Sequence, residues 1–512
     1  MLDVECHLAD SMHFALTSTT HENLKMWGVI YSMCGIFATT GGDPPKPEFL
    51  EHRGPDKSVY TKVNDIQLIF HRLAINGLHG GMQPFQDGDK YLIANAEIYN
   101  HLELGGIEGD SDCKVILPTI EKHGIINACQ MFSGDFAFVV TDGHTIWAAR
   151  DQVGVRPLFF CRHPKGIAFA SEAKGLLQFK TKIDIFPPGH FYDSKIDSFI
   201  CWRPNYWDCP RRDHDIDFIR SQIFHLMSEA VEKRVRTSER PVGFFLSGGL
   251  DSSIVAALGK KFLGKIKTFA IGLEGAPDLL AAREMAEFLD SDHTEVIFTL
   301  EEGLQAVSNV IWHLETFDTT TIRASIPMFL LSKYIKENTD IRVVLSGEGS
   351  DELFGGYLYF HAAPNVAEFI SETGRLVKDV HMFDVLRADR TTSAHGIELR
   401  VPFFDRDVID YVMDGFDAEL KMPYGGIEKH LLRETFEDIL PEEIAWRQKN
   451  GMSDAVGYAW AEALRKFGEN KYKNIFNNFF GFNDHLVPYK WMPKWVEASD
   501  PSGASLSFFK KD

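Results

Sequence analysis

No apolar run in the chain approaches the roughly eighteen residues that a spanning helix needs. The most apolar stretch, residues 27–37, is shorter. Positive charge is also scarce. Across 512 residues, 53 Lys and Arg face 73 Asp and Glu, for a net charge of −20. That balance argues against a non-specific nucleic-acid binder and against an anionic membrane surface as partner. Nor does a basic leader open the chain. Asp3, Glu5, Asp10 and Glu22 precede or flank a single lysine, Lys25, the reverse of a secretory signal. A cytoplasmic protein is expected. The seven cysteines form no CxxC pair, and all lie within the first 209 residues. An odd, scattered set argues against a disulfide framework or a zinc site. Six of them fit buried, reduced thiols. What remains is an ordinary globular balance, 44 % apolar and 25 % charged. Its length suits two or three domains.

The chain has two textures. From residue 34 to about 200, short β-rich runs alternate with glycines: "IQLIFHRLAI", "KYLIANAEIY", "DFAFVVTDG", "TIWAARD", "PLFFCR" and "GIAFAS". Such runs predict a layered, antiparallel, β-rich domain with a few helices. The segment 201–215, dense in proline and charge, reads as a boundary. Beyond it, buried strands alternate with helices: "PVGFFL" then "DSSIVAALGKKFL", "KIKTFAIGL" then "LLAAREMAEFLD", "HTEVIF" then "IPMFLLSKYIKE", and finally "IRVVLS". Alternation of this kind predicts a parallel sheet covered by helices on both faces. From about residue 357 the chain reads as mainly helical.

Two loops carry the chemistry of this half. In "FFLSGGLDSS" a strand ends at Leu246. Ser247, Gly248 and Gly249 turn the chain, and Asp251 and Ser252 open a helix. Free N–H groups beside small side chains make an anion cradle. The loop has no Gly-Lys-Ser/Thr, so it is not a Walker loop. Asp251 beside it suggests a Mg²⁺ ligand. A plain strand–helix turn with Asp and Ser as caps is the alternative. The second loop, "VVLSGEGSDELFGGY", again follows a strand and presents Ser346, Gly347, Glu348 and Asp351. Ligands bind at that edge of an open α/β sheet. One carboxylate can hold metal while the other moves a proton. "TTTIRAS" brings Thr320, Thr321 and Arg323, and "WRQKNGMSD" brings Lys449. Each of these could clamp phosphate or be an ordinary basic surface element.

In the first half "YSMCGIF" places Cys34 at the start of a strand. It is a candidate nucleophile, or a buried thiol that only looks like one.

Taken together, "MCGIF", "HRGPD", "HRLAI", "EIYNH", "SDC", "LSGGLDSS", "TTIRAS", "LSGEGSDELFGGYLYFH", "SAHGIELRVPFFD" and "AWRQKNGMSDAVGYAW" resemble the glutamine-hydrolysing asparagine synthetases. The likeness runs from about residue 33 to 465. "SGGLDSS" alone is shared with other ATP pyrophosphatases. The resemblance implies an N-terminal-nucleophile glutaminase of layered antiparallel sheets over 34–205. It also implies a parallel-sheet α/β ATP-pyrophosphatase domain over 216–512. Cys34 would attack the glutamine amide with its own α-amine as base, and a thioester would form. Asn95 and the N–H of Ala96 would form the oxyanion hole. Arg72, Leu73, Ala74, Ile75, Asn76, Asn95, Glu97 and Asp112 would hold glutamine. ATP would lie on Leu246, Ser247, Gly248, Gly249, Asp251, Ser252, Ile271, Ser346 and Gly347, with Mg²⁺ on Asp251 and Asp351. Thr320, Thr321, Arg323 and Lys449 would hold phosphate or substrate, and Glu348 would serve the ammonia step. Aspartate would be activated as β-aspartyl-AMP, and ammonia would arrive through an internal tunnel. The resemblance allows a homodimer.

The chain departs from the family pattern at FHAAPN and PDLLAA, each with alanine or leucine for a family lysine, and at two places in the first half. Asn-Gly-Glu is here Asn95-Ala96-Glu97, and alanine resists positive φ. The segment between Cys34 and "HRGPD" is also shorter than usual. An ammonia-dependent synthetase with an inactive glutaminase would fit those departures. A β-lactam-synthetase-like ligase would not need Cys34, Asn95 and Asp112. A scaffold protein would tolerate loss of Glu348, Asp351 or Lys449. An α-nitrogen inside a peptide bond is no base, so residues 1–33 are expected to be a leader absent from the active protein, with translation from Met33 or processing to the same end.

Overall fold

Short apolar strands, whose successive side chains face opposite layers, set the first half of the fold. The computed structural model describes residues 34–41, 49–203, 213–448, 456–481, 483–487 and 492–497. The expected leader, most of the expected boundary segment, and Lys449 lie outside them.

One six-stranded antiparallel sheet comprises β1 (Gly35–Thr40), β2 (Lys57–Val63), β3 (Ile66–Arg72), β8 (Phe159–His163), β9 (Gly166–Ala170) and β10 (Ile183–Ile185), in the order β10-β8-β9-β1-β3-β2. A second comprises β4 (Phe85–Asp87), β5 (Lys90–Ile98), β6 (Gly134–Thr141), β7 (Ile146–Arg150), β11 (His190–Asp193) and β12 (Ser198–Cys201), in the order β12-β11-β7-β6-β5-β4. Period-2 alternation explains the layering. Ile36 and Ala38 of β1 face Ile93 of β5 and Val139 of β6 between the sheets. Phe37, one residue on, points the other way onto Leu176. Helices α1 (Ile116–His123) and α2 (Ile125–Met131) bury Ile116, Leu117 and Ala128 against the outer face of the second sheet.

The second half opens with α3 (Ile216–Arg236), N-capped by Asp215, which accepts from the N–H groups of Asp217 and Phe218. A parallel sheet follows: β13 (Val242–Phe245), β14 (Lys267–Gly272), β15 (Asp292–Ile297), β16 (Val343–Leu345) and β17 (Glu398–Arg400), in the order β15-β14-β13-β16-β17. Its helices include α4 (Leu250–Leu263), α5 (Pro277–Phe288), α6 (Leu300–Leu314), α7 (Thr319–Asn338), α8 (Ser350–Phe354), α9 (Val366–Asp379) and α10 (Asp384–Ser393). Strand order reverses between β13 and β16, which pair Phe244 with Leu345. The loops after these two strands therefore leave side by side, at the crevice where open α/β sheets take ligands.

One expectation needs correction, and one strand goes beyond the sequence reading. β17 lies in the stretch read as mainly helical. It is three residues long, too short for any periodicity, and is fixed by its pairing with β16. Cys201 is exposed, because β12 is the edge strand of its sheet. Cys113, Cys129 and Cys161 are buried.

The halves share one core. Leu73, Ile75, Val153 and Val155 from the first pack with Leu345, Leu399 and Val401 from the second. Each such side chain contributes about 1.5–3 kcal/mol when fully buried. Beside it lies a buried ion cluster. Arg53 donates to Glu172 at 2.6 Å and in a fork to Asp389 at 3.0 Å on each oxygen. Arg390 reaches Glu172 at 2.8 Å and Glu315 at 3.2 Å. No helix among the described residues is long and apolar enough to cross a membrane.

Candidate functional sites

Cys34 stands at the mouth of β1, half-buried. The Leu73 N–H donates to its Sγ at 3.3 Å, and the thiol donates back to the Leu73 carbonyl at 3.5 Å. Leu73 therefore holds the sulfur from both its N–H and its carbonyl. Burial pushes the Cys34 thiol up to about 12 despite the Leu73 hydrogen bond, and Glu398 and Glu97 add to the rise. A thiol so placed needs a base before it can attack.

Asn95, Ala96 and Glu97 lie near the end of β5. Asn95 is 3 % exposed, and its Nδ2 is buried with no hydrogen-bond partner among the described residues. An orphaned donor of this kind suits a group that arrives with substrate. Ala96 pairs with Phe136 in an unbroken antiparallel ladder and has no positive φ. A glycine there supplies no conformation that this strand uses.

Glu97 accepts from Asn76 Nδ2 at 2.8 Å. Arg72 wraps its guanidinium on the carbonyls of Gly77, Asn76 and Leu78, at 2.7, 3.4 and 3.4 Å, and so shapes the loop. The Ala74 N–H donates to Asp56 at 2.8 Å, which ties "HRGPD" to "HRLAI". Asp112 accepts the Ile98 N–H at 2.7 Å. Burial raises the carboxyls of both Glu97 and Asp112, and each also feels Glu398. Ile75 is packed into the shared core.

The second centre is a cavity of about 250 Å³ at the switch between β13 and β16. Leu246, Ser247, Gly249, Asp251, Ser252, Ile271, Thr320, Ser346, Gly347, Glu348 and Asp351 all line it. The first loop is held internally. Ser252 Oγ accepts the Ser247 N–H at 3.2 Å and donates to the Gly249 carbonyl at 3.2 Å. Gly347 is needed for close approach, because a Cβ there would stand 2.7 Å from Ser252 N. Gly248 has φ +68° and packs on α5, where a Cβ would meet the Ala281 carbonyl carbon at 2.2 Å. It shapes the loop but does not line the cavity.

Glu348 accepts from Ser346 Oγ and pairs with Arg387 at 3.1 Å. Thr320 lines the cavity, and its Oγ1 is buried with no hydrogen-bond partner among the described residues. Thr321 and Arg323 sit on α7 but do not line the cavity. Arg323 is buried, and its carbonyl takes the indole N–H of Trp460 at 3.1 Å.

Sequence reasoning missed four cations here. Lys429, Arg387, Arg433 and Arg447 line the cavity. Lys429 bridges Asp251 and Asp351, each at 2.6 Å. Lys429 stands directly before the helix His430–Phe436 with a positive φ of 58°, a place that no spacing in "GIEKHLLRE" marks. Arg387 is held by Asp384, whose carboxyl burial pushes up but Arg387 and Tyr357 hold below its ordinary value. Arg400 lay in a quoted motif with no role attached.

A thiol-bearing layered β fold joined to a phosphate-type cradle on a parallel sheet defines an amidotransferase with two separate centres. The glutamine amidotransferase domain model matches residues 33–192, and the asparagine synthase model matches 222–376 and 367–485. The asparagine synthetase [glutamine-hydrolyzing] of Gallus gallus is 40 % identical over 558 residues, covering 93 % of this chain and 99 % of the relative. That of Homo sapiens is 39 % identical over 559 residues with the same coverage. The chain belongs to the glutamine-hydrolysing asparagine synthetase family.

Proposed function

We propose that the protein makes asparagine from aspartate, glutamine and ATP, and releases glutamate, AMP and pyrophosphate. Residues 34–205 form the glutaminase and residues 216–512 the synthetase. The observation that carries the reading is the convergence of loops 246–252 and 346–351 on one cavity, in a chain that also presents the Cys34 thiol and, in the same half, an Asn95 Nδ2 with no hydrogen-bond partner among the described residues.

At the first centre Cys34 Sγ attacks the carboxamide carbon of glutamine. Its α-amine takes the thiol proton and passes it to the departing ammonia. Asn95 Nδ2 and the Ala96 N–H stabilise the oxyanion, and water then releases glutamate from the thioester. Glu97, Asp112 and Arg72 hold the α-ammonium and α-carboxylate. At the second centre the aspartate β-carboxylate attacks the α-phosphorus and pyrophosphate leaves. Leu246, Ile271, Ser346 and Gly347 hold the nucleotide. Thr320 offers a hydroxyl to the phosphates, and Thr321, Arg323 and Lys449 remain proposed clamp residues. Ammonia attacks the β-aspartyl carbonyl, its proton passes to Glu348, and AMP leaves. Cys34 packs against the apolar core that the two halves share, a setting that favours uncharged ammonia.

Asp251 and Asp351 fit a divalent cation, since both carboxylates already meet one ammonium, that of Lys429. Mg²⁺ there would neutralise phosphate charge. The regular strand at Ala96 favours a working glutaminase over an ammonia-only synthetase. A nucleophilic thiol also suits a cytosolic, reducing setting. Incubation with aspartate, ATP and glutamine tests the whole reading. Asparagine, glutamate, AMP and pyrophosphate should appear in equal amounts, and ATP cleavage without asparagine would refute it.

A further inference from the structure

One side chain of the second half reaches into the first centre. Arg400 closes β17 and is fully buried. Its Nη2 donates to Glu97 Oε2 at 2.8 Å. Its Nε donates to Glu398 at 2.8 Å, and its Nη1 to the Arg234 carbonyl at 2.6 Å and to Thr237 at 3.0 Å. The carbonyl of the same residue accepts the N–H of Ser346, which opens the Glu348 loop, at 3.1 Å. Among the described residues, the hydrogen bonds to the Glu97 carboxylate come from Asn76 and Arg400.

We propose that Arg400 is a positioning residue for glutamine: it fixes the orientation of the Glu97 carboxylate that takes the substrate's α-ammonium, so that the synthetase half completes the glutaminase site. The proposal rests on the function given above. Glu97 shares its pocket with Glu398 and Asp112, while Arg400 and Arg156 supply the opposing charge, and Cys34, His101 and Tyr99 lie close by. Burial and the two like charges favour a proton on Glu97, and the guanidinium opposes that. A protonated Glu97 holds an ammonium poorly. Arginine suits the place because its planar fork serves Glu97, Glu398 and two oxygens of the 234–237 turn at once. Lysine keeps the charge without the fork.

Calorimetric titration of the full chain with glutamine tests this, with ammonia-dependent asparagine synthesis measured on the same preparations. Arg400→Gln should weaken glutamine binding by at least about tenfold, the scale of losing one buried charged partner. Arg400→Lys should weaken it by less. Both variants should keep the ammonia-dependent rate within about twofold, because their change falls on the Glu97 side. Unchanged glutamine affinity in Arg400→Gln overturns the proposal. So does a parallel loss of ammonia-dependent synthesis, which marks a purely structural role. If Arg400→Gln does not fold, Arg400→Lys decides alone: a smaller but measurable loss of affinity supports the proposal, and wild-type affinity overturns it. If the unsubstituted protein binds no glutamine yet makes asparagine from ammonia, the glutaminase reading falls and takes this proposal with it.

Discussion

Lys429 Nζ lies 2.6 and 2.7 Å from the two carboxylate oxygens of Asp251. It is also 2.6 Å from Asp351 Oδ1. Carboxylates carried by α4 and α8, after different strands, thus converge on one cationic point. Replacing either by asparagine removes charge where a metal would meet the phosphates. Asp251→Asn and Asp351→Asn should each cut pyrophosphate release by about 10²-fold or more, the scale of a metal's several kcal/mol at a phosphoryl group. Near-normal ATP turnover in either variant would show that the loops do not hold the nucleotide.

Glu348 is tethered by Arg387 and by its neighbour Ser346, so its carboxylate has one preferred place. Glu348→Gln keeps the shape and loses the proton acceptor. Ammonia-dependent synthesis should fall by about 10²–10⁴-fold. Adenylate formation, read as aspartate-dependent exchange of pyrophosphate into ATP, should survive. If exchange falls as far as synthesis, Glu348 acts on the first step instead.

Much of this was legible in the sequence because it is local. The runs at β3, β5 and β6 are short, apolar and bounded by turn signals, and the glycines of the two loops mark sharp turns after buried strands. What stayed hidden depends on partners far along the chain. Arg400 meets Glu97 across 303 residues, and Lys429 meets Asp251 across 178. No spacing rule reaches so far. β17 escaped because three residues carry no period. Arg323 is a different case: read as part of a phosphate clamp, it sits buried on α7 outside the residues that line the cavity, and it stands as a proposal.

The buried cluster between the halves yields a stability prediction. Arg53 is fully buried and relies on Asp389 and Glu172. Asp389→Ala strands part of that charge and should cost about 3–5 kcal/mol, seen as a lowered thermal midpoint. Arg53→Met combined with Asp389→Leu should cost less than the single change, since no unpaired charge remains. An equal or larger loss in the double variant would mean that the pair itself stabilises the interface.

The α-nitrogen of Cys34 can act as a base only as an amine. Protein beginning at Cys34 should hydrolyse glutamine, whereas protein retaining residues 1–33 should not. Ammonia-dependent synthesis should be similar in both. Full glutamine hydrolysis by a preparation whose intact mass includes residues 1–33 would require a different base.

The last prediction separates the two centres. Cys34→Ala removes the sulfur that forms the thioester, while the cavity between β13 and β16 contains no atom of residue 34. Glutamine-dependent synthesis should vanish, and ammonia-dependent synthesis should persist at close to its original rate. Independent folding is not the reason, for the halves share a core and Arg53 donates to the Cys34 carbonyl at 3.4 Å. The reason is chemical: activation of aspartate uses ATP and groups on α4, α8 and the 346–351 loop, and the substitution removes only the sulfur beyond Cβ. Glutamine should still bind the variant, because Glu97, Asp112 and Arg72 are untouched. Calorimetry can therefore distinguish loss of chemistry from loss of the pocket. If ammonia-dependent synthesis falls together with glutamine hydrolysis, the thiol also supports the contact between the halves, and the two centres are not chemically separable.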